Sequence, residues 1–168
     1  KHAFDPDNRS NPGKIIATPK MSENLRFGEA YRAHPPESTF YDYSADGGWD
    51  KAIEKCSGMA VCRKLDVGTM CPSFQVTLEE EHSTRGRANS LREAMRGNLP
   101  GMASEEVLEA LDLCLGCKAC KGDCPSNLDV AKLKAEFQAA YYAEHRRPLG
   151  PDRPGRHHPR RRRRSRRR

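Results

Sequence analysis

The sequence is poor in the material of a large apolar core. Hydrophobic residues make up 36% of its 168 positions, aromatics only 7%, and tryptophan occurs once. Long apolar runs are missing too, the longest being Ala139 to Ala143. A bilayer crossing needs about 20 such residues, so no segment reads as a transmembrane helix, and none has the layout of a secretory signal peptide. Apolar–polar alternation is scarce, which leaves little basis for strands. The length excludes two full domains. The chain opens on Lys1 and not Met, and it is expected to be a piece of something longer.

Charge is unevenly placed. The chain carries 30 Lys and Arg against 23 Asp and Glu, a net +7, which invites a nucleic-acid reading. Residues 146–168 alone hold 12 Arg and one acid, Asp152, whereas residues 1–145 are net −4. The body is therefore mildly acidic and the basic excess is terminal. A genuine Arg arm would bind phosphates with strong salt dependence and no base readout, so nucleic acid is a weak expectation for the body.

Turn formers dominate the start. Asp5-Pro6, Asn11-Pro12 and Pro12-Gly13 rule out a helix beyond Phe4, and such a segment needs a body to lie against. Residues 18–48 stay polar and Pro-interrupted and read as an extended linker that packs its aromatics, Phe27, Tyr31, Phe40, Tyr41 and Tyr43, on a neighbouring surface. From Trp49, expected to be core, helical signals begin. A short helix is predicted over residues 50–55. Thr77-Leu78-Glu79-Glu80 has capping-box spacing, and a helix over 83–96 would use Leu91 and Met95. Gly97, Pro100 and Gly101 end it. Ser104 is a good N-cap for a helix over 105–113, with Val107, Leu108, Leu111 and Leu115 on its buried side. Val130, Leu133, Phe137 and Tyr141 mark another over 128–145. The chain reads as mostly α.

Seven cysteines carry the chemistry. The odd count without a signal peptide argues against a disulfide framework. Cys114-Leu-Gly-Cys117-Lys-Ala-Cys120-Lys-Gly-Asp-Cys124-Pro125 is C-x2-C-x2-C-x3-C-P, the bacterial ferredoxin run. Closely spaced thiolates let one loop wrap a cubane and bond three of its irons. Gly116 and Ala119 leave room for the backbone, and Pro125 turns the chain towards the next helix. Lys118 and Lys121 place positive charge beside an anionic centre. Zinc also takes four thiolates, but it usually pairs two short knuckles across a longer gap. Upstream, Cys56, Cys62 and Cys71-Pro72 are more loosely spaced. In two-cluster ferredoxins the Cys before Pro ligates the other cluster. On that logic Cys71 joins Cys114, Cys117 and Cys120 on one [4Fe–4S] cluster. Cys56, Cys62 and Cys124 hold a second, one thiolate short: a [3Fe–4S] cluster, a site with another ligand, or a site not built. Of the nearby polar residues, His82 is read as a ligand, a supporting donor or a surface residue. Arg63, Lys64, Arg85 and Arg87 are read as neutralising cluster charge or as a solvated face.

Residues 56–149 resemble the iron–sulfur half of fused FAD-linked oxidoreductases, through CRKLDVGTMCPS, EEEHSTRGRANSLREAMRG and ALDLCLGCKACKGDCPSNLDVAKLKAEF. In that family an FAD-linked oxidase domain, similar to glycolate oxidase and D-lactate dehydrogenase, precedes a ferredoxin-like domain. KHAFDPDNRSNPGKII is similar to the end of the FAD-linked domain, and the resemblance implies that Asn11, Pro12 and Gly13 stand near FAD. With the composition it gives a division into residues 1–17 as a remnant of the FAD domain and 49–149 as an α-helical ferredoxin-like domain, with 18–48 read as linker and 150–168 as a disordered Arg-rich tail. The family would continue as helix after Leu149, so GPDRPGRHHPRRRRRSRRR reads as a frame disruption or misassembled end unless it is a genuine arm.

The function so implied is electron transfer. FAD, reduced by a 2-hydroxy acid such as D-lactate or glycolate, would pass electrons through this segment to a downstream acceptor: a quinone, a Cys-rich module or a carrier protein. The segment alone is not expected to turn over substrate. A cytoplasmic location follows, with peripheral membrane contact as a variant. A stand-alone ferredoxin-like carrier is the alternative, and a nucleic-acid-binding protein acting through the tail is the more distant one.

Overall fold

The computed structural model describes residues 1–99, 101 and 104–147. Among these residues the regular structure is entirely helical, without strands. The α-helices are α1 (Trp49–Glu54), α2 (Pro72–Thr77), α3 (Thr84–Met95), α4 (Glu105–Asp112), α5 (Ala119–Asp123) and α6 (Val130–Glu144). Single 3-10 turns occupy Ser44–Asp46, Val61–Arg63 and Glu80–His82. Pro100, Leu149 and the tail from 150 lie outside the described residues.

The three longest helices begin where a side chain satisfies their free N–H groups. Ser83 accepts from the Gly86 amide at 2.9 Å, Ser104 from Val107 at 3.3 Å and Asp129 from Lys132 at 3.0 Å. α3 is the hub, packing against α1, α4 and α6. Its Ala88, Leu91, Ala94 and Met95 meet Ile53 of α1, Val107 and Leu111 of α4 and Leu133 and Phe137 of α6 in one core. Burying each large apolar side chain contributes about 1.5–3 kcal/mol. Gly86 permits the tight seat of α3 on the 80–82 turn: a Cβ there would lie 2.8 Å from Glu81 Cα and closer still to the Glu80 carbonyl.

Several local expectations are corrected. The Thr77–Glu80 spacing opens no helix. Thr77 instead closes α2, its hydroxyl donating to the Ser73 carbonyl at 3.0 Å, and Leu78 turns left-handed. Leu115 is 75% exposed, because α4 stops at Asp112 and the apolar stripe ends with it. Two short helices, α2 and α5, stand where no helix was expected. α2 starts at Pro72, whose fixed φ and missing N–H suit a first helical position.

The linker is tied to the body more by its backbone than by its rings. Tyr43 is buried, but Phe40 is 84% exposed. The amides of Phe40 and Tyr41 donate to the buried Glu136 carboxylate of α6 at 2.8 and 3.1 Å. Lys132, one turn earlier, donates to the Asp42 carbonyl at 2.6 Å and lies 3.9 Å from the Tyr43 ring centroid. Further up, the Tyr31 hydroxyl donates to Glu54 and the His34 amide to the Met95 carbonyl. The N-terminal segment is held locally by Lys1 on Asp5 and by the Arg9 and Ser10 amides on the same carboxylate. These contacts, Lys1 first, hold the Asp5 carboxyl below its usual range. Phe4 and Ile15 remain exposed rather than laid on the body.

Candidate metal centre

Cys71, just before α2, lines one cavity with Cys114, Cys117 and Cys120. Thr84 and Arg87 of α3 line the same cavity. The cysteine loop curls because Gly116 and Lys118 both take left-handed backbone, with φ of +65° and +60°. Lys134 of α6 holds the loop from below, its ammonium donating to the Cys114 carbonyl at 2.7 Å. Cys71 and Cys120 are buried, Cys114 is half-buried and Cys117 is exposed.

Cys71 has the most elaborate surroundings. Arg87 Nη1 donates to its Sγ at 3.1 Å, and the Ser73 hydroxyl lies 3.5 Å from the same sulfur. The same guanidinium donates through Nη2 to Ser73 Oγ at 2.7 Å and through Nε to the Ala110 carbonyl at 2.9 Å. Arg87 is 1% exposed. Burial on its own would lift the Cys71 thiol, but the Ser73 hydroxyl and the Arg87 charge outweigh it, and the net direction is down. Burial pushes the Cys56, Cys62 and Cys120 thiols up. The thiolate is the metal-binding form, and the Ser73 hydroxyl and Arg87 charge favour it at Cys71.

Cys56, Cys62 and Cys124 occupy a second neighbourhood. The charge of Cys124 acts on Cys56 and that of Cys56 on Cys62, and Cys62 Sγ accepts from the Arg85 amide at 3.4 Å. Two contacts dock the upstream segment on the ferredoxin run. Ser57 and Ser126 hydroxyls stand 3.3 Å apart, and Thr69 donates through N and Oγ1 to Asp123 at 3.3 and 3.2 Å. Arg26 of the linker donates to the Cys56 carbonyl at 2.8 Å.

The remaining candidates divide. Arg63 and Arg85 both pair with Glu80, at 3.2 and 2.7 Å, so their charge is shared with that carboxylate, while Lys64 is exposed. The Lys118 and Lys121 ammoniums lean towards Asp129, at 4.0 and 3.8 Å. His82 is turned away from the cavity: its Nδ1 meets Thr77 Oγ1 at 2.9 Å, and only its carbonyl lies near Cys71 Sγ, at 3.4 Å. Asn11 and Pro12 are exposed, and with Gly13 they contribute nothing to the cysteine-lined cavity. Ser73 and Thr84 were not singled out from the sequence. Their signal was position, Ser73 two residues after Cys71 and Thr84 three before Arg87, one helical turn away on the same face.

The donor set fits an iron–sulfur group. Four cysteines lining one cavity suit ligation of separate irons, whereas thiolates on one zinc crowd to about 3.8 Å of each other, given Zn–S bonds of about 2.3 Å. Among the described residues no three His, Cys, Asp or Glu side chains stand close enough to share a single ion. The cavity wall also carries Thr84, whose buried hydroxyl has no hydrogen-bond partner among the described residues.

Comparison with known proteins agrees with this chemistry. Residues 54–129 match the 4Fe-4S dicluster domain. The chain is 31% identical over 189 residues to D-2-hydroxyglutarate dehydrogenase of Escherichia coli and 29% over 183 residues to that of Pseudomonas putida, in each case covering 89% of this chain and 18% of the relative. It is 32% identical over 81 residues to the probable glycolate oxidase iron-sulfur subunit of Bacillus subtilis, covering 48% of this chain and 18% of the relative. The chain thus spans about a fifth of the length of these curated relatives. No solved structure matches it. Among the described residues no helix is long and apolar enough to cross a membrane. With cysteine loops, helical body and sequence matches in agreement, residues 54–129 are a 4Fe-4S dicluster domain in a chain similar to part of D-2-hydroxyglutarate dehydrogenase.

Proposed function

We infer that this chain is the electron-transfer segment of a flavin-dependent oxidoreductase, taking electrons from an FAD-linked oxidase domain and passing them to a downstream acceptor. That acceptor is a quinone, a further Cys-rich module or a carrier protein. The single observation that carries the reading is the meeting of Cys71 with Cys114, Cys117 and Cys120 around one cavity, although they come from segments more than forty residues apart. We assign those four thiolates to one [4Fe–4S] cluster, and Cys56, Cys62 and Cys124 to a second that is either a [3Fe–4S] cluster or completed by a ligand other than a cysteine of this chain. An iron–sulfur group, when bound, accepts and releases one electron at a time, which is what splitting the electron pair of a reduced flavin requires.

The residues supply holding and tuning. Thiolates fix the irons, α3 presents Arg87 to Cys71, and Lys134 pins the loop at Cys114. The exposed position of Cys117 gives a partner close approach to that edge of the site. The electron source is a 2-hydroxy acid oxidised at the flavin. The names of the relatives favour D-2-hydroxyglutarate over the D-lactate or glycolate expected first, and Asn11, Pro12 and Gly13 belong beside FAD only in the longer protein.

Iron and acid-labile sulfide per chain, measured after anaerobic reconstitution, test the reading. About eight irons support two cubanes, about seven a cubane with a three-iron cluster, and about four a single cluster. The loaded protein should be brown, with a broad band near about 400 nm that bleaches with dithionite. Colourless oxygen-free material that binds zinc alone would overturn the redox reading.

A further inference from the structure

Two side chains of α3 line the first cysteine cavity, one a buried charge and the other a buried hydroxyl without a partner among the described residues. Arg87 is a cation at 1% exposure whose hydrogen bonds go to a sulfur, a hydroxyl and a carbonyl. Among the described residues no carboxylate is paired with it. A buried guanidinium in that position is costly unless an anion completes its surroundings. Thr84 is 2% exposed, lines the same cavity, and its hydroxyl has no hydrogen-bond partner among the described residues. An apolar wall would be better built with Val, which has the same shape without the orphaned donor.

Both observations point to an anionic acceptor inside the cavity. Thr84 and Arg87 are three residues apart and therefore share a face of α3. They also sit in its first two turns, where the helix dipole favours negative charge. The guanidinium spans the two halves of the site, with Cys71 on one side and, on the other, Ala110 near the end of α4, the helix that leads to Cys114.

We propose that Thr84 and Arg87 form a donor face that hydrogen-bonds the sulfurs of the group held by Cys71, Cys114, Cys117 and Cys120, and so raises its reduction potential above that of the second site. The inference rests on the ligand assignment under Proposed function. Its physical basis is that hydrogen bonds to sulfur and nearby positive charge stabilise the reduced, more negative state. The second site receives the backbone amide of Arg85 on Cys62, while the Arg85 side-chain charge is shared with Glu80. Electrons arriving at the pair would then settle at the Cys71 site, next to the exposed Cys117.

Redox titration of the anaerobically reconstituted full chain, followed by electron paramagnetic resonance and visible absorption, tests this. Thr84→Val preserves shape and should keep the iron and sulfide content of the parent chain while shifting the midpoint potential of one centre downwards and leaving the other in place. Arg87→Gln should shift the same centre further, and Arg87→Lys should recover part of that shift, because it restores the charge without the fork. If Arg87→Gln fails to load, Thr84→Val decides alone. An unchanged potential in Thr84→Val overturns the proposal, and so does a loss of iron, which would make Thr84 a holding residue. A parent chain that binds neither iron nor sulfide removes the function reading itself, an outcome distinguishable from both.

Discussion

At the scale of single residues, Cys71 matters most because it lines a cavity whose other cysteines lie far along the sequence. Its sulfur meets Arg87 at 3.1 Å and shares a cavity with Cys120. Cys71→Ser and Cys120→Ser should therefore each remove the same cluster, and the double variant should lose no more iron than either alone, as read by iron and sulfide analysis. Losses that add would place the two residues on different clusters. Gly86 is the second sensitive position, for a steric reason. A methyl group there overlaps the Glu80 carbonyl, backbone that cannot swing aside as a flexible side chain could. Gly86→Ala should destabilise the chain by about 1–3 kcal/mol, the usual cost of overpacking, measured by denaturant unfolding. An unchanged midpoint would mean that α3 and the 80–82 turn are not seated this closely.

At the scale of elements, α3 does two jobs. Its apolar side is the centre of the core, and its first two turns face the cysteines. α6 likewise packs Leu133 and Phe137 inwards while Lys132 and Glu136 hold the linker. Glu136→Ala should leave the Phe40 and Tyr41 amides without their carboxylate acceptor, and each hydrogen bond to a charged group so lost costs about 1.5–3 kcal/mol. Both amides should then exchange with solvent hydrogen much faster, while exchange in α3 stays as before. Spread of the effect into α3 would show that the linker is part of the core rather than strapped to it. The elements also differ in how legible they were. α3, α4 and α6 are long, and their caps Ser83, Ser104 and Asp129 stand before apolar residues at helical spacing. α2 and α5 have no such stripe, being six and five residues long. They form because a proline or a left-handed residue starts them and the cysteine loops close around them.

At the scale of the whole molecule, charge and chemistry occupy different parts of the chain. Deleting residues 150–168 removes ten Arg and Asp152 and takes the net charge from +7 to −2. That variant should reconstitute with the same iron and sulfide per chain while losing any salt-sensitive binding to duplex DNA, measured by iron assay and by a salt series of binding curves. Iron lost with the tail would tie it to the metal centre.

The amino-acid order by itself determined the helical class and the choice of iron and sulfur as the chemistry. Both depend on local spacing: apolar residues three and four apart define a helix face, and C-x2-C-x2-C places three thiolates on one loop. Which upstream cysteine completes that loop was expected from a rule about Cys-Pro, but nothing local could bring residue 71 to residue 120. Only the tertiary structure put residue 71 on the cavity that residue 120 lines, by docking the 57–71 segment on the 120–126 run through Ser57, Thr69 and Asp123. It also decided that Arg87, one of four cations equal in the sequence, is the buried one. Burial follows from where α3 lies between α4 and the cysteines, and that is set by packing across the chain, not by any neighbour along it.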